Sequence, residues 1–92
     1  MNNTTSISGT VKSSNGPTPL PGALVEIESA SLPMPRDTVT NASGSYTFDE
    51  ILPGNYIVKA SFTGFQPEEK RNVLVSIGEN REIDFTLYPD NG

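Results

Sequence analysis

Residues 56–62 read YIVKASF, and this stretch carries the pattern that decides the fold. Tyr56, Val58, Ala60 and Phe62 fall on one side of an extended chain, whereas the residues between them include a lysine and a serine. Alternation with a period of two is typical of a strand that buries one face. The turn-forming stretches LPGN before it and TGFQP after it bound the strand at both ends.

The same alternation occurs elsewhere along the chain, with turn-forming residues between the alternating segments. Short strands separated by turns about every 8–12 residues are typical of a β-sandwich or a β-barrel. No window of the sequence has a convincing helical period. We therefore predict an all-β domain of seven strands, the other six being residues 7–13, 23–29, 37–41, 45–48, 71–77 and 81–87.

Most aromatic residues occupy inward positions of these strands, which predicts a core role rather than a sugar-binding platform. The residues concerned are Tyr46, Phe48, Tyr56, Phe62 and Phe85. A buried tyrosine hydroxyl needs a hydrogen-bond partner or a route to water. The apolar side chains left on the solvent side of the strands are mainly Leu24, Ile57 and Leu74.

The composition limits the chemistry that the chain can perform. Its 92 residues are enough for one domain. The absence of cysteine and histidine excludes the usual zinc sites, cysteine nucleophiles, Ser-His-Asp triads and disulfides. Six scattered basic residues and a formal net charge of −5 argue against a nucleic-acid partner. We also expect no membrane span, because no stretch approaches the roughly 20 apolar residues that a span needs.

Both ends of the chain are polar, and we predict that they are linkers or tails. Residues 1–5 and 89–92 fall outside the predicted domain of residues 6–88. The opening MNNTTS has neither the basic nor the apolar region of a signal peptide. If the parent protein is exported, we expect its signal to lie upstream of these residues.

Five short motifs, in this order and at this spacing, resemble one known family. They are ISGTV at 7–11, PLPGALVEI at 19–27, TVTNASGSYTF at 38–48, ILPGNYIVKA at 51–60 and GF at 64–65. Together they resemble the carboxypeptidase regulatory-like domain family over about residues 6–88. The resemblance implies a seven-stranded antiparallel Greek-key β-sandwich of the prealbumin-like type, related to the B-type repeats of collagen adhesins.

The resemblance also implies a class of function. Domains of this family are accessory modules attached to metallocarboxypeptidases, to outer-membrane nutrient transporters and to bacterial or archaeal surface proteins. We therefore expect a non-catalytic structural module of a larger extracellular or cell-surface protein. Its expected partners are the neighbouring domains of that protein. We expect a monomer without a cofactor.

The related adhesin repeats often contain an isopeptide bond between a lysine and an asparagine or aspartate. The reaction needs an uncharged amine and a side-chain carbonyl pressed together in a dry core beside a buried acid. Lys12 lies on the first predicted strand, and Asp84, Asp90 and Asn91 lie on or near the last one. The alternation places Lys12 and Asp84 on outward faces. The resemblance implies that Ala60 occupies the position where the promoting acid would lie. We therefore predict solvated charges and no crosslink.

The eleven acidic residues do not form a recognisable catalytic or metal-binding motif. The adjacent pairs at 49–50 and 68–69 have diverging side chains in an extended chain. No EF-hand sequence is present. A loop Ca²⁺ site formed by Asp37, Asn41 and Asp49 stays open as an alternative.

The alternative function is a carbohydrate- or protein-binding module that uses the loops at one end of the sandwich. The irregular stretches at residues 29–38 and 63–72 would supply the contact surface. A third hypothesis is self-association through an edge strand at residues 37–41. The contact residues predicted for the binding module are Met34, Arg36, Phe65 and Arg71.

Overall fold

In a computed structural model of the protein, which describes residues 5–16, 18–30 and 34–90, nine strands form two packed sheets. The strands are β1 (Thr5–Ser13), β2 (Thr18–Pro19), β3 (Leu24–Glu28), β4 (Arg36–Val39), β5 (Ser45–Ile51), β6 (Gly54–Ser61), β7 (Glu68–Val75), β8 (Asn80–Glu82) and β9 (Phe85–Leu87). The predicted all-β sandwich is therefore confirmed. The part of the chain that the structure describes holds no helix long and apolar enough to cross a membrane.

One sheet, called here the open sheet, contains four strands in the order β4-β3-β6-β7. All of its neighbouring strands are antiparallel. Val25 and Ile27 of β3 lie opposite Ala60 and Val58 of β6. All four side chains are fully buried, because the period-two alternation of both strands turns them toward the other sheet.

The second sheet, called here the clamped sheet, is built around β1. The strands β2 and β5 pair antiparallel with one edge of β1. The strands β8 and β9 pair with its other edge, and both of these pairs are parallel. The first and last strands of the domain therefore run side by side in the same direction, which departs from the fully antiparallel arrangement expected from the sequence.

Among the described residues there are nine strands instead of the predicted seven, for two reasons. The two-residue strand β2 lies in the Pro-rich stretch between the first two predicted strands, and it pairs with Lys12 and Ser13. The predicted last strand is divided into β8 and β9 at Ile83 and Asp84. The alternation of that strand still holds, since its inward residues are buried: Ile83, Phe85 and Leu87.

Gly9 permits the close approach of the last strand to β1 at the point where that strand is divided. A Cβ atom on Gly9 would lie only 1.8 Å from the carbonyl oxygen of Ile83, so the junction between β8 and β9 approaches β1 where only glycine fits. The N–H of Ile83 donates to the carbonyl of Ser8 at 2.7 Å. The junction is therefore a bonded contact between the two strands and not a frayed segment.

The core lies between the two sheets. Its largest fully buried side chains are Tyr56, Phe48, Phe85, Ile7, Ile27, Leu87, Val11, Val25 and Val58. The predicted core role is confirmed for four of the five aromatic residues. Phe62 is only half-buried, because β6 ends at Ser61 and the chain turns away there. It packs at the edge of the core against Phe65, with 5.8 Å between the ring centroids.

Both buried tyrosine hydroxyls donate to backbone carbonyls. The Tyr46 hydroxyl donates to the carbonyl of Ile83, and the Tyr56 hydroxyl donates to the carbonyl of Leu52. Burial raises the pKa of Tyr46 well above its usual range, and the nearby acidic side chains add to this increase. Burial also raises the pKa of Tyr56. Both groups therefore stay neutral hydrogen-bond donors in the folded protein.

Thr40 and Gly44 fix the connection between the two sheets. The Thr40 Oγ1 accepts from the N–H of Ala23 at 2.9 Å and donates to the carbonyl of Leu20. Gly44 has a φ of 75°, and a Cβ there would lie 2.9 Å from the carbonyl oxygen of Val11. The turn therefore needs both the conformation and the small size of glycine.

Candidate functional site

A groove of about 620 Å³ crosses the outward face of the open sheet. Half-buried Ile57 of β6 forms part of its floor. One wall is formed by the described lining residues between β3 and β4, and β7 forms the other. Those between β3 and β4 are Ser29, Ala30, Met34 and Pro35. The groove is lined by Glu28, Ser29, Ala30, Met34, Pro35, Asn55, Ile57, Arg71 and Asn72.

A bulge in β7 gives the groove its polar wall. The register between β6 and β7 shifts between Tyr56 and Val58, so Arg71 and Asn72 both lie opposite Ile57. Asn72 has a φ of 58°. Asparagine adopts this left-handed conformation more readily than most residues, and the extra residue of a bulge changes the direction of nearby side chains. An amide and a guanidinium therefore reach the same groove from adjacent positions.

Charges of both signs lie along the groove. The Arg71 Nε forms an ion pair with the Glu69 carboxylate, and 70% of the Arg71 side chain is exposed. An ion pair this exposed contributes about 0–1 kcal/mol to stability. Glu28 lies on the β3 side of the groove. The guanidinium is therefore held only weakly and can exchange its partner for a carboxylate or a carbonyl of a ligand.

The lining combines two kinds of chemistry. Asn55 and Asn72 offer amide donors and acceptors, whereas Ile57 and Met34 offer aliphatic and thioether surface. Polar groups placed beside exposed apolar side chains are the usual composition of a protein–protein contact. The arrangement can bind a polypeptide through its backbone amides and one apolar side chain.

A smaller cavity of about 140 Å³ continues the groove along the same face. It shares Glu28, Pro35 and Ile57 with the larger groove and adds Lys59 to the lining. The same sheet also exposes three large apolar side chains: Leu24, Val39 and Leu74. The outward positions of Leu24 and Leu74 confirm the sequence prediction.

The structure brings two of the four predicted contact residues together. Met34 and Arg71 both line the groove. Arg36 lies elsewhere, with its guanidinium carbon 5.8 Å from the centroid of the Phe48 ring. Phe65 is half-buried at the edge of the core, where it packs beside Phe62. The predicted contact set is therefore divided between the groove and the scaffold.

The sequence prediction named Arg71 but neither of the two asparagines that line the groove beside it. Asn72 lies inside the segment predicted as a regular strand, and Asn55 belongs to a segment predicted as a turn. The available signal was an asparagine within a strand, since asparagine is depleted there and is tolerated at bulges. That signal identifies neither the partner strand nor the face involved.

The residues considered for a crosslink lie on the outside, as the alternation predicted. Lys12 is exposed and pairs through its backbone with Thr86. Asp84 is also exposed, and its Oδ1 accepts from the N–H and the hydroxyl of Thr10 at 3.0 and 3.2 Å. Asn91 lies outside the described residues.

The three residues considered for Ca²⁺ belong to different elements. Asp37 is in β4, Asn41 is in the turn after it, and Asp49 is in β5. The Asn41 Oδ1 accepts from the N–H groups of Ser43 and Ser45 at 2.9 and 3.0 Å, so it already holds the turn. Within the described part of the chain, no three acidic side chains are grouped to hold a metal ion.

Comparison with known sequences identifies the family. The sequence model described as "Carboxypeptidase regulatory-like domain" matches residues 6–88. The chain belongs to this family. The resemblance inferred from the five motifs is thereby confirmed. A search of curated proteins found no match to this chain.

Solved structures share the fold of this carboxypeptidase regulatory-like domain. The minor pilin GBS52 of Streptococcus agalactiae matches with a TM-score of 0.76 and 14% identity, over 100% of this chain and 47% of the pilin chain. A structure of a type II Cohesin-X-Dockerin complex from Acetivibrio cellulolyticus matches with a TM-score of 0.68 and 19% identity, over 92% of this chain and 58% of that chain.

The same fold occurs in an enzyme. Catechol 1,2-dioxygenase from Acinetobacter sp. ADP1 matches with a TM-score of 0.70 and 14% identity, over 96% of this chain and 53% of the enzyme chain. Likeness at these identities shows the fold alone. The carboxypeptidase regulatory-like domain spans about half the length of the pilin and dioxygenase chains that it matches.

Proposed function

We propose that the chain is a non-catalytic structural module of a larger extracellular or cell-surface protein. The observation that carries the proposal is the placement of the first and last strands. Ser6, near the start of β1, pairs with Asn80, and Ser13, at its end, pairs with Leu87. The polypeptide therefore enters the sandwich at one end and leaves it at the opposite end.

This geometry suits a link between neighbouring domains. The nine residues of β1 span about 30 Å in an extended strand. The whole domain measures 44 Å along its long axis and 24 and 17 Å across it. A domain whose chain enters and leaves at opposite ends keeps the flanking segments apart, whereas one with both at the same end would bring them together.

The comparisons support a module within a larger protein. The pilin and Cohesin-X-Dockerin neighbours indicate a structural or binding module. The dioxygenase neighbours show that the fold is also compatible with catalysis. The non-catalytic proposal therefore rests on the family and on the placement of the strands, not on the fold.

Two experiments test the structural role. Antibodies against the domain should label intact cells of the organism that encodes it, and labelling that appears only after lysis would contradict a surface location. Two copies joined in tandem should lengthen along one axis by up to the 44 Å of one copy in small-angle X-ray scattering. A tandem protein with the maximum dimension of a side-by-side pair would contradict the role of a link.

Protein binding through the groove is a second candidate function. The observation that favours it is the meeting of Met34 and Arg71 in one groove, which half-buried Ile57 also lines. These groups belong to a face that the rest of the described chain leaves uncovered. Apolar surface grouped in this way is characteristic of contact sites.

Amide-resolved NMR titration tests this second function. Extracellular-matrix proteins and polysaccharides are added to the labelled domain, and shifts are expected at the residues that line the groove. Met34→Ala and Arg71→Ala should abolish binding and leave stability nearly unchanged. Arg81→Ala in β8 is the matched control, because Arg81 is exposed on the other sheet. Shifts centred on Arg81 would contradict the site.

A further inference from the structure

The parallel contact between the first and last strands has a mechanical consequence. Tension on the two ends of the domain pulls β1 toward its Thr5 end and β9 toward its Leu87 end. These two directions are opposite, because the strands are parallel and their outer ends lie at opposite ends of the sandwich. The load therefore acts along the strands, and the hydrogen bonds between them share it instead of breaking one after another.

Backbone hydrogen bonds join the two partners along the full length of β1. At one end the N–H of Ser6 donates to the carbonyl of Glu79 at 3.0 Å. In the middle the N–H of Ile83 donates to the carbonyl of Ser8. At the far end the N–H of Ser14 donates to the carbonyl of Leu87 at 2.9 Å. The contact is therefore bonded at both ends and in the middle of β1.

Side chains reinforce the same contact. The Asp84 Oδ1 accepts from both the N–H and the hydroxyl of Thr10, so one carboxylate joins the β8–β9 junction to β1. The Thr5 Oγ1 accepts from the N–H of Gly78 at 2.9 Å. Hydrogen bonds to a charged group are stronger than those between neutral groups, and Asp84 accepts two of them at this junction.

The segment after β9 is held as well. The N–H of Gln66 donates to the carbonyl of Tyr88 at 2.8 Å, and the N–H of Asp90 donates to the carbonyl of Gly64 at 2.9 Å. Phe65 and Pro89 form a β-bridge between the same two segments. Tension at this end therefore meets a second set of bonds, to the turn that follows β6, besides those to β1.

We propose that the domain is a tension-bearing link, in which the contact of β1 with β8 and β9 is a shear clamp. The proposal rests on the structural role proposed above and adds the load that the module carries. It requires no covalent crosslink, because the resistance comes from the direction of pulling relative to parallel hydrogen bonds. Forced unfolding is governed by the unfolding barrier, so strength along one direction need not follow the equilibrium stability.

Single-molecule force spectroscopy in two pulling directions tests the clamp. In the first, handles at the N and C termini load the parallel contact in shear. In the second, handles at Asn15→Cys and the C terminus peel β9 away from β1, since Asn15 lies just beyond Ser13. The natural sequence has no cysteine, so the introduced thiol is a unique attachment point.

The unfolding force should be at least about twofold greater in the first direction, because several hydrogen bonds must break together. Equal forces, or a smaller force in the first direction, would overturn the clamp. The Asn15→Cys protein is also pulled through its two termini, which shows whether the substitution itself weakens the domain. The side chain of Asn15 is exposed, so the substitution should change the stability of the domain little.

Asp84→Ala should lower the force in the shear direction more than in the peeling direction. Glu82→Ala is the matched control, because Glu82 is an exposed acid on the adjoining strand β8. A loss for Asp84→Ala that is equal in both directions would overturn the role of Asp84 in the clamp. If that variant does not fold, the two pulling directions on the chain with Asp84 intact still decide.

The outcomes for the clamp and for the structural role are separable. Tandem copies that lengthen as expected but unfold at the same force in both directions would overturn the clamp and leave the structural module standing. Cells labelled only after lysis would contradict the surface role, whatever the measured force.

Discussion

The two sheets of this sandwich are held in different ways. The open sheet consists of antiparallel ladders with one bulge in β7, and its outward face carries a groove and exposes Leu24, Val39 and Leu74. In the clamped sheet, both edges of β1 pair with other strands. Hydrogen bonds from side chains add to these pairs, between Asp84 and Thr10 and between Tyr46 and Ile83. The difference shows that a small domain can concentrate its connections around its terminal strands and leave the other sheet free for contacts.

The largest expected effect is at Gly9, where the clamped sheet has no space for a side chain. Gly9→Val should lower the free energy of unfolding by more than about 3 kcal/mol, because its Cβ would overlap the carbonyl oxygen of Ile83. Urea denaturation followed by circular dichroism measures the change. Ser8→Ala, on the opposite face of β1, is the control and should cost much less. A Gly9→Val protein of nearly unchanged stability would show that β8–β9 can move away from β1.

Thr40→Val tests how much the side-chain hydrogen bonds at one end of the open sheet contribute to stability. The substitution removes the Oγ1 that bonds to the N–H of Ala23 and the carbonyl of Leu20, and leaves two buried backbone groups without that partner. The expected loss is about 2 kcal/mol. Thermal denaturation measures the change, and Thr38→Val is the control, at a half-buried position two residues earlier in β4. Equal losses for the two variants would contradict a special role of Thr40.

Tyr46→Phe removes one bond from the clamped sheet and changes its response to alkali. A loss of about 1 kcal/mol is expected at neutral pH from the hydrogen bond to Ile83. Burial raises the pKa of Tyr46 in the folded state, so its contribution is complete below the unfolded pKa of about 10 and falls as the pH rises above it.

The alkaline loss of stability should therefore be smaller in Tyr46→Phe than in the parent chain. It should not disappear, because burial also raises the pKa of Tyr56. Tyr88→Phe, at an exposed position, is the control for the loss of a tyrosine hydroxyl. A Tyr46→Phe profile that matches the parent above pH 10 would show that the group ionises in the folded state.

The smallest effect is expected on the outward face of the open sheet. Leu74→Ala should change stability by less than about 0.5 kcal/mol, because 65% of Leu74 is exposed. Val73→Ala is the matched variant at the adjacent, buried position, and should cost about 2 kcal/mol. Denaturation of both proteins in urea compares the two faces of one strand. Similar losses would mean that the outward face is covered in solution.

The sequence predicted the inward residues well, because each alternating strand specifies its own buried face. It did not predict the division of the last strand, which lies beside Gly9, more than seventy positions earlier in the chain. The bulge that places Asn72 in the groove depends on the register between β6 and β7. Such long-range contacts leave little trace in a local pattern.

The candidate site shows the same limit. Met34 and Arg71 belong to irregular stretches of the sequence that predict contact residues, and both line the groove. Arg36 came from the same kind of stretch, but β4 pairs it with Ile27, a core residue, and it lies over Phe48. Whether a charged residue next to a proline faces solvent or covers the core is decided by strand pairing. Composition alone cannot distinguish the two.

The placement of the two ends also determines reach. A row of such domains would gain up to 44 Å with every copy, so its length would grow in proportion to the number of copies. A flexible disordered chain grows only with the square root of its length, at about 5–6 Å times that root. For a single copy the two are of similar size. Over many copies the folded row reaches farther from its point of attachment than an unfolded chain with the same number of residues.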